Sequence, residues 1–189
     1  MRKLLLMVVM CAFVLGGMIA CKPGLLPTED AGKPKVTLDR VEVASYFPWV
    51  DLPAATPLGL AFVFNIDNPS GYNVMLDNIK FTVSFEAAPG KYIEIATPTV
   101  YDRIYFPPKT TSQYRVVSIL SSGTIRLTLL VAQAPKVQEL KLNPAELIKD
   151  WYSKIGDFKF AIKVHEGMAV FQTEKGDVFV PFEGTFPKK

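Results

Sequence analysis

From Val36 onward the apolar residues of this chain return at every second position. Successive side chains of an extended strand point to opposite faces, so this alternation predicts strands with one face in a core. Ile79, Phe81, Val83 and Phe85 alternate with Lys80, Thr82, Ser84 and Glu86, a strand with one wet face. Phe158, Phe160, Ile162 and Val164 alternate in the same way with Lys159, Ala161, Lys163 and His165. Leu58, Leu60, Phe62, Phe64 and Ile66 alternate with Gly59, Ala61, Val63, Asn65 and Asp67. That second set is itself partly apolar, which predicts a central strand covered on both faces.

Shorter strand candidates lie at Val36–Tyr46, Tyr92–Thr97, Gln113–Leu120, Met168–Thr173 and Val178–Phe182. Turn signals separate the runs at Asn68-Pro69-Ser70-Gly71, Ala88-Pro89-Gly90, His165-Glu166-Gly167 and Lys175-Gly176-Asp177. The fold class expected is mainly β, an antiparallel β-sandwich of immunoglobulin or fibronectin type with about seven strands. It occupies residues 36–187. One short helix is expected near 144–155. Asn143 is an N-cap type, Pro144 suits the first helical position and Glu146 the capping-box position. Leu147, Ile148, Trp151 and Ile155 share a helical face, and Gly156 stops it. Between Thr124 and Leu140 the pattern stays open. Ile125, Leu127, Leu129 and Val131 alternate as a strand would, yet a short helix also fits.

The N-terminus sets the expected compartment. Met1-Arg2-Lys3 is basic, Leu4 to Ala20 is uncharged, and Gly16-Gly17-Met18-Ile19-Ala20-Cys21 ends the run on small residues beside a cysteine. Residues 1–20 read as a secretion signal of lipoprotein type, with Cys21 as the lipid-attachment site. Bacterial lipoboxes prefer leucine three positions before the cysteine; Met18 stands there, while Ala20 fits. The rival is an uncleaved anchor, but the 17 residues of Leu4–Ala20 would rise roughly 26 Å against a ~30 Å hydrocarbon core. Residues 21–35, rich in Pro, Gly and charge, read as the lipidated cysteine and a flexible linker. Lys22 after the cysteine resembles outer-membrane sorting, which places the domain in the periplasm of a cell with two membranes. Cys11 lies inside the signal, so Cys21 is left alone and no internal disulfide forms.

The 21 basic residues outnumber the 18 acidic ones by three, and Arg2 and Lys3 leave with the signal. A nearly neutral mature domain argues against a nucleic-acid partner. Catalytic constellations are missing too: no glycine-rich phosphate loop, Gly-x-Ser-x-Gly, His-Glu-x-x-His or Cys-x-x-Cys occurs. The chain has one histidine, His165, which shares strand parity with Lys159 and Lys163 and is expected on a solvent face near a turn. Asp67 and Asn68 offer too few oxygens for calcium. Asn68 before Pro69 reads as structural, its side chain satisfying turn backbone groups. No metal, cofactor or catalytic residue is expected, and the one enzymatic alternative is a carboxylate-only site.

Tyr46-Phe47-Pro48-Trp49-Val50-Asp51-Leu52-Pro53 places three aromatics where a polar loop is expected. Tyr46, Phe47 and Trp49 either plug an open end of the sandwich or form a binding patch.

The segment Asn65-Ile66-Asp67-Asn68-Pro69-Ser70-Gly71-Tyr72-Asn73-Val74-Met75-Leu76-Asp77-Asn78-Ile79-Lys80-Phe81-Thr82-Val83 resembles the water stress and hypersensitive response (WHy) domain of LEA14-like, late embryogenesis abundant group 2, proteins. In that pattern a hydrophobic strand ends in Asn-Pro, a polar turn follows, and aliphatics re-enter the core, here with a parity shift at Asp77-Asn78. Lys109-Thr110-Thr111-Ser112 and Val178–Thr185 look like later strands of the family. The glycine that often follows Glu86-Ala87-Ala88 is delayed to Gly90, and Thr124–Leu140 is longer than usual. The resemblance implies a seven-stranded sandwich with a helix, an association with stress or desiccation, and no catalytic residues. The expected function is therefore non-enzymatic: a lipid-anchored envelope protein that protects or binds envelope components. The alternatives are a carrier of an apolar ligand or lipid and a structural subunit of an envelope complex.

Overall fold

The computed structural model describes residues 32–188, so the signal, Cys21 and most of the linker lie outside the described residues. Nine strands form: β1 Lys35–Tyr46, β2 Pro57–Asn68, β3 Val74–Ala88, β4 Lys91–Ala96, β5 Thr99–Val100, β6 Ile104–Phe106, β7 Thr110–Ser121, β8 Ile162–Thr173 and β9 Gly176–Phe186. Between β7 and β8 come helices α1 Ser122–Leu130, α2 Ala134–Glu139 and α3 Pro144–Lys154, then a 3-10 turn, Ile155–Asp157. The strands make an antiparallel sandwich. One sheet has the order β1-β2-β7; the other has β4-β3-β8-β9, with the short β5 and β6 also on β3.

The alternation sets which faces meet. Leu58, Leu60, Phe62, Phe64 and Ile66 of β2 are all buried, opposite Ile79, Phe81, Val83 and Phe85 of β3. Phe81 joins the sheets. Its ring meets Phe62 at 5.1 Å and Phe64 at 5.2 Å edge-to-face, and Phe64 meets Phe182 of β9 at 5.2 Å. Such pairs add about 0.5–1.5 kcal/mol each beyond their burial. β2 is also covered outside, as its second apolar set predicts. Glu42 pairs in register with Ala61, while Arg40 and Arg115 flank Val63. Arg40 Nε donates to Glu42 Oε1 at 2.7 Å, and Arg115 Nε to Glu42 Oε2 at 3.2 Å. The linked side chains lie over Ala61 and Val63, which are buried. The bonds from Arg40 and then Arg115 hold the Glu42 carboxyl below its usual range.

The parity shift at Asp77-Asn78 is a β-bulge, where the β3–β8 register slips between Leu76 and Asn78. The delayed Gly90 has φ +70° in the β3–β4 hairpin, a left-handed conformation that favours glycine. Asn143 caps α3, its side chain accepting from Ala145 N at 3.0 Å and Glu146 N at 3.5 Å.

Elsewhere the structure departs from the pattern. Phe158–Val164 is not one strand: β8 begins at Ile162. Phe158 sits at φ 47° after the 3-10 turn and packs on Phe186 at 4.9 Å, while Phe160 packs on Phe85 at 5.1 Å. A loop folded over the end of a sandwich buries alternate residues without a ladder, so period 2 did not require a strand there. His165-Glu166-Gly167 is a bulge rather than a turn, and β8 runs through it to Thr173. Glycine is needed at 167 because a Cβ would lie 2.5 Å from the Phe182 carbonyl oxygen. The open segment 124–140 is helical. Ile125 and Leu129 are buried and Leu127 and Val131 exposed, the i, i+4 spacing of a helix.

Asn68 is fully buried where β2 ends. Its Nδ2 donates to the Tyr72, Phe106 and Pro107 carbonyls at 2.9, 3.0 and 3.0 Å. Its Oδ1 accepts from Ser70 N at 3.1 Å and Ser70 Oγ at 2.7 Å. One side chain therefore ties the β2–β3 turn to the turn before β7. Asn68→Ala leaves these buried groups unpaired and is expected to destabilise the domain by about 2–4 kcal/mol, read as a lower urea midpoint with an unchanged m-value.

Candidate functional site

Two surfaces gather the side chains that could act. The first is the end of the sandwich where β1 hands over to β2. Thr56 and Ser122, both buried, clamp the β1–β2 loop to α1: Thr56 N donates to Ser122 Oγ at 2.8 Å and Ser122 N to the Thr56 carbonyl at 3.0 Å. Trp49 turns inward onto Tyr152 of α3 at 5.4 Å, edge-to-face. Its Nε1 donates to Asp51 Oδ1 at 2.9 Å, which also accepts from Lys149 Nζ at 3.3 Å. The Trp49 bond, then Lys149, holds the Asp51 carboxyl below its usual range.

Tyr46 and Phe47 stay outside, 52% and 49% exposed, so of the three aromatics only Trp49 plugs the end. Val50, Leu127, Leu130 and Val131 are also exposed at this end. Leu52, Pro53, Leu127 and Leu130, together with Ser121, Thr124 and Arg126, line an open depression of about 580 Å³. Scattered apolar residues are ordinary on a surface, whereas these gather at one pole. The helical spacing that leaves Leu127, Leu130 and Val131 outward was hidden by the ambiguity of 124–140.

The second surface is the outer face of the larger sheet, beside α2. Glu94 of β4, Ser84 of β3 and Lys163 of β8 pair in one row across it, and His165 stands in register with Thr82. Ser84 is 1% exposed, and its Oγ lies 2.8 Å from His165 Nε2. Lys136 and Glu139 of α2, with Leu140 just after it, form the opposite wall of a basin of about 350 Å³. The wet face expected at Thr82 and Ser84 is corrected here, because both are buried; His165 lies half-buried on the same face of β8 as Lys163, within the strand rather than in a turn. The pair lacks two parts of a nucleophilic relay. Among the described residues no carboxylate bonds the other ring nitrogen, and Ser84 lies on an interior strand whose amides serve the ladders. Among the described residues no group of three or more His, Cys, Asp or Glu forms a metal site. Asn68 and Pro69 lie at the far end of β2 from both surfaces, in the turn already described.

The solved structures that match the chain are distant in sequence. A solution structure of an Arabidopsis thaliana protein is 12% identical, covering 90% of this chain and 87% of that one, with a TM-score of 0.51. A solution structure named as a candidate late embryogenesis abundant (LEA) protein is 13% identical over 98% of this chain and 85% of that one, with a TM-score of 0.45. A crystal structure of a protein from Archaeoglobus fulgidus is 12% identical over 81% of this chain and 98% of that one, with a TM-score of 0.43. The first of these supports a shared fold, and at that identity the fold alone. No family model and no curated protein matches the chain.

Two buried tyrosines make the domain sensitive to alkali. Tyr152 donates to the Leu120 carbonyl at 3.2 Å, and burial raises its pKa far above the ordinary range. Burial, then the charge of Asp102, pushes Tyr114 up to about 12. Both stay neutral in the fold while the unfolded chain ionises near pH ~10. Their stabilisation is complete below about pH 10 and is lost as pH rises towards about 12. Urea midpoints measured from pH 9 to 11.5 should fall steadily, and Tyr152→Phe should flatten the fall.

Proposed function

We propose that this chain is a non-enzymatic, lipid-anchored β-sandwich of the cell envelope, tethered through Cys21 and presenting its apolar pole to an envelope component. In a cell with two membranes it faces the periplasm from the outer membrane. The leader pattern ending at Ala20-Cys21 and the linker support the tether.

One structural observation carries the binding half. The linker joins the domain at Lys35, and β1 then runs 12 residues, roughly 35–40 Å, to Tyr46. The end that receives the tether is thus opposite the end that carries Tyr46, Phe47, Leu127 and Leu130. On the outer face of the small sheet Asp39, Arg40, Glu42 and Arg115 form a bonded network at mid-strand, with Val117 in the row of Glu42 and Ile119 in the row of Ser45, nearer the Tyr46 end, both exposed. The depression there is open, which favours contact with an apolar surface on a partner over enclosure of a whole lipid. Shielding such a surface is a protective role consistent with the resemblance to water-stress domains.

Cells grown with a clickable fatty acid should label the wild-type chain and not Cys21→Ala; an unlabelled wild type, or label persisting in the variant, overturns the tether. Phe47→Asp with Leu127→Asp replaces two exposed side chains, so the fold should hold within about 1 kcal/mol. Envelope proteins crosslinked to the wild type should then be lost from this variant, and an unchanged crosslinking pattern overturns the contact.

A further inference from the structure

We propose that the basin beside α2 is a binding site for a small multivalent oxyanion, a phosphate group above all, separate from the apolar pole and independent of the tether. Ser84 supplies the floor. It is 1% exposed, yet its hydroxyl lines the basin and is held 2.8 Å from His165 Nε2. When the imidazole carries its proton on Nε2 it donates to Ser84 Oγ, and the hydroxyl hydrogen is left to point at a ligand. A buried hydroxyl oriented in this way is a positioned donor at the bottom of a concave surface.

The walls bring cations. Lys91, Lys136 and Lys163 come from β4, α2 and β8, three elements that meet only in the folded chain. None of the three forms an ion pair with a carboxylate among the described residues, although Lys149, Lys154 and Lys159 on nearby surfaces pair at 3.3, 2.6 and 2.9 Å. Two carboxylates share the basin. Glu94 Oε2 accepts from Gln133 Nε2, just before α2, at 3.4 Å across the basin, and Glu139 is exposed at the rim. Three ammonium groups without an ion pair among the described residues, an imidazole and a hydroxyl therefore line the basin with two carboxylates, an excess of one positive charge. That donor set suits an anion carrying more than one charge, because each charge-assisted contact to an ammonium strengthens with the charge of the acceptor. The volume of about 350 Å³ takes phosphate or a phosphate monoester headgroup with room for water.

His165 is the one histidine in the chain, so its ring protons are a unique reporter inside the basin. In proton NMR of the full-length chain, titrated inorganic phosphate should move these signals along a saturating curve. Sodium chloride at matched ionic strength should not. Lys163→Met and Lys136→Met should each weaken binding at least fivefold, while Lys80→Met, on the same sheet outside the basin, should leave it unchanged. Dispersed amide spectra confirm that each variant is folded. Vesicles of phosphatidylcholine with and without phosphatidic acid separate the two sources: broadening of the His165 signals by phosphatidic acid alone identifies a lipid headgroup, and saturation by soluble phosphate alone a free ligand. A linear response, an equal response to chloride, saturation by glycine but not phosphate, or equal loss in all three lysine variants overturns the site.

Discussion

Two amphipathic sheets can bury their apolar faces only against each other, and Phe81 is where that happens. Its ring touches Phe62 and Phe64 across the sandwich, and Phe64 carries the contact on to Phe182 at the β9 side. The other features of the domain are arranged around this junction. β3, which carries Phe81, holds β4, β5, β6 and β8 as partners, so the strand at the centre of the core also organises the larger sheet. Strand β2 is the counterpart in the smaller sheet, and its burial on both faces makes it the least replaceable strand.

A sandwich built in this way leaves two ends to close. At one end Asn68 does so with polar chemistry, meeting five backbone or hydroxyl groups from two turns. At the other, the insertion between β7 and β8 does so with apolar surface. Trp151 packs on Phe85 and donates from Nε1 to the Glu86 carbonyl at 2.8 Å, while Tyr152 receives Trp49. Among the described residues no buried side-chain nitrogen or oxygen lacks a partner, so neither closure leaves an unpaired polar group. The difference between the ends has a functional consequence. The polar end is self-sufficient, whereas the helical end covers the core with one face and leaves Leu127, Leu130 and Val131 outward.

Legibility followed the range of the interactions. Asn143, Pro144 and the apolar face of α3 were readable because capping and helical facing act within a few residues. Asn68-Pro69 was readable as a strand end, but the bonds from Asn68 to Phe106 and Pro107 span nearly forty residues and left no local mark. Tyr46, Phe47 and Trp49 stood out as a cluster, and only Tyr152, far along the chain, decides that Trp49 turns in and its neighbours do not. The basin is the extreme case. Ser84 read as one more polar residue on a wet face, and its partner His165 lies 81 positions away.

By itself the sequence determined the alternation of strand faces, the break at Asn68-Pro69, the parity shift at Asp77-Asn78 and the cap of α3, since each depends on neighbours in the chain. Tertiary structure decided whether 122–139 became strand or helix, whether His165-Glu166-Gly167 turned the chain or bulged within β8, and which polar residues came to share a basin. The physical reason is the same throughout. Periodicity records which way a side chain points, while what stands opposite it is supplied by a distant part of the chain, and burial is a property of that pair.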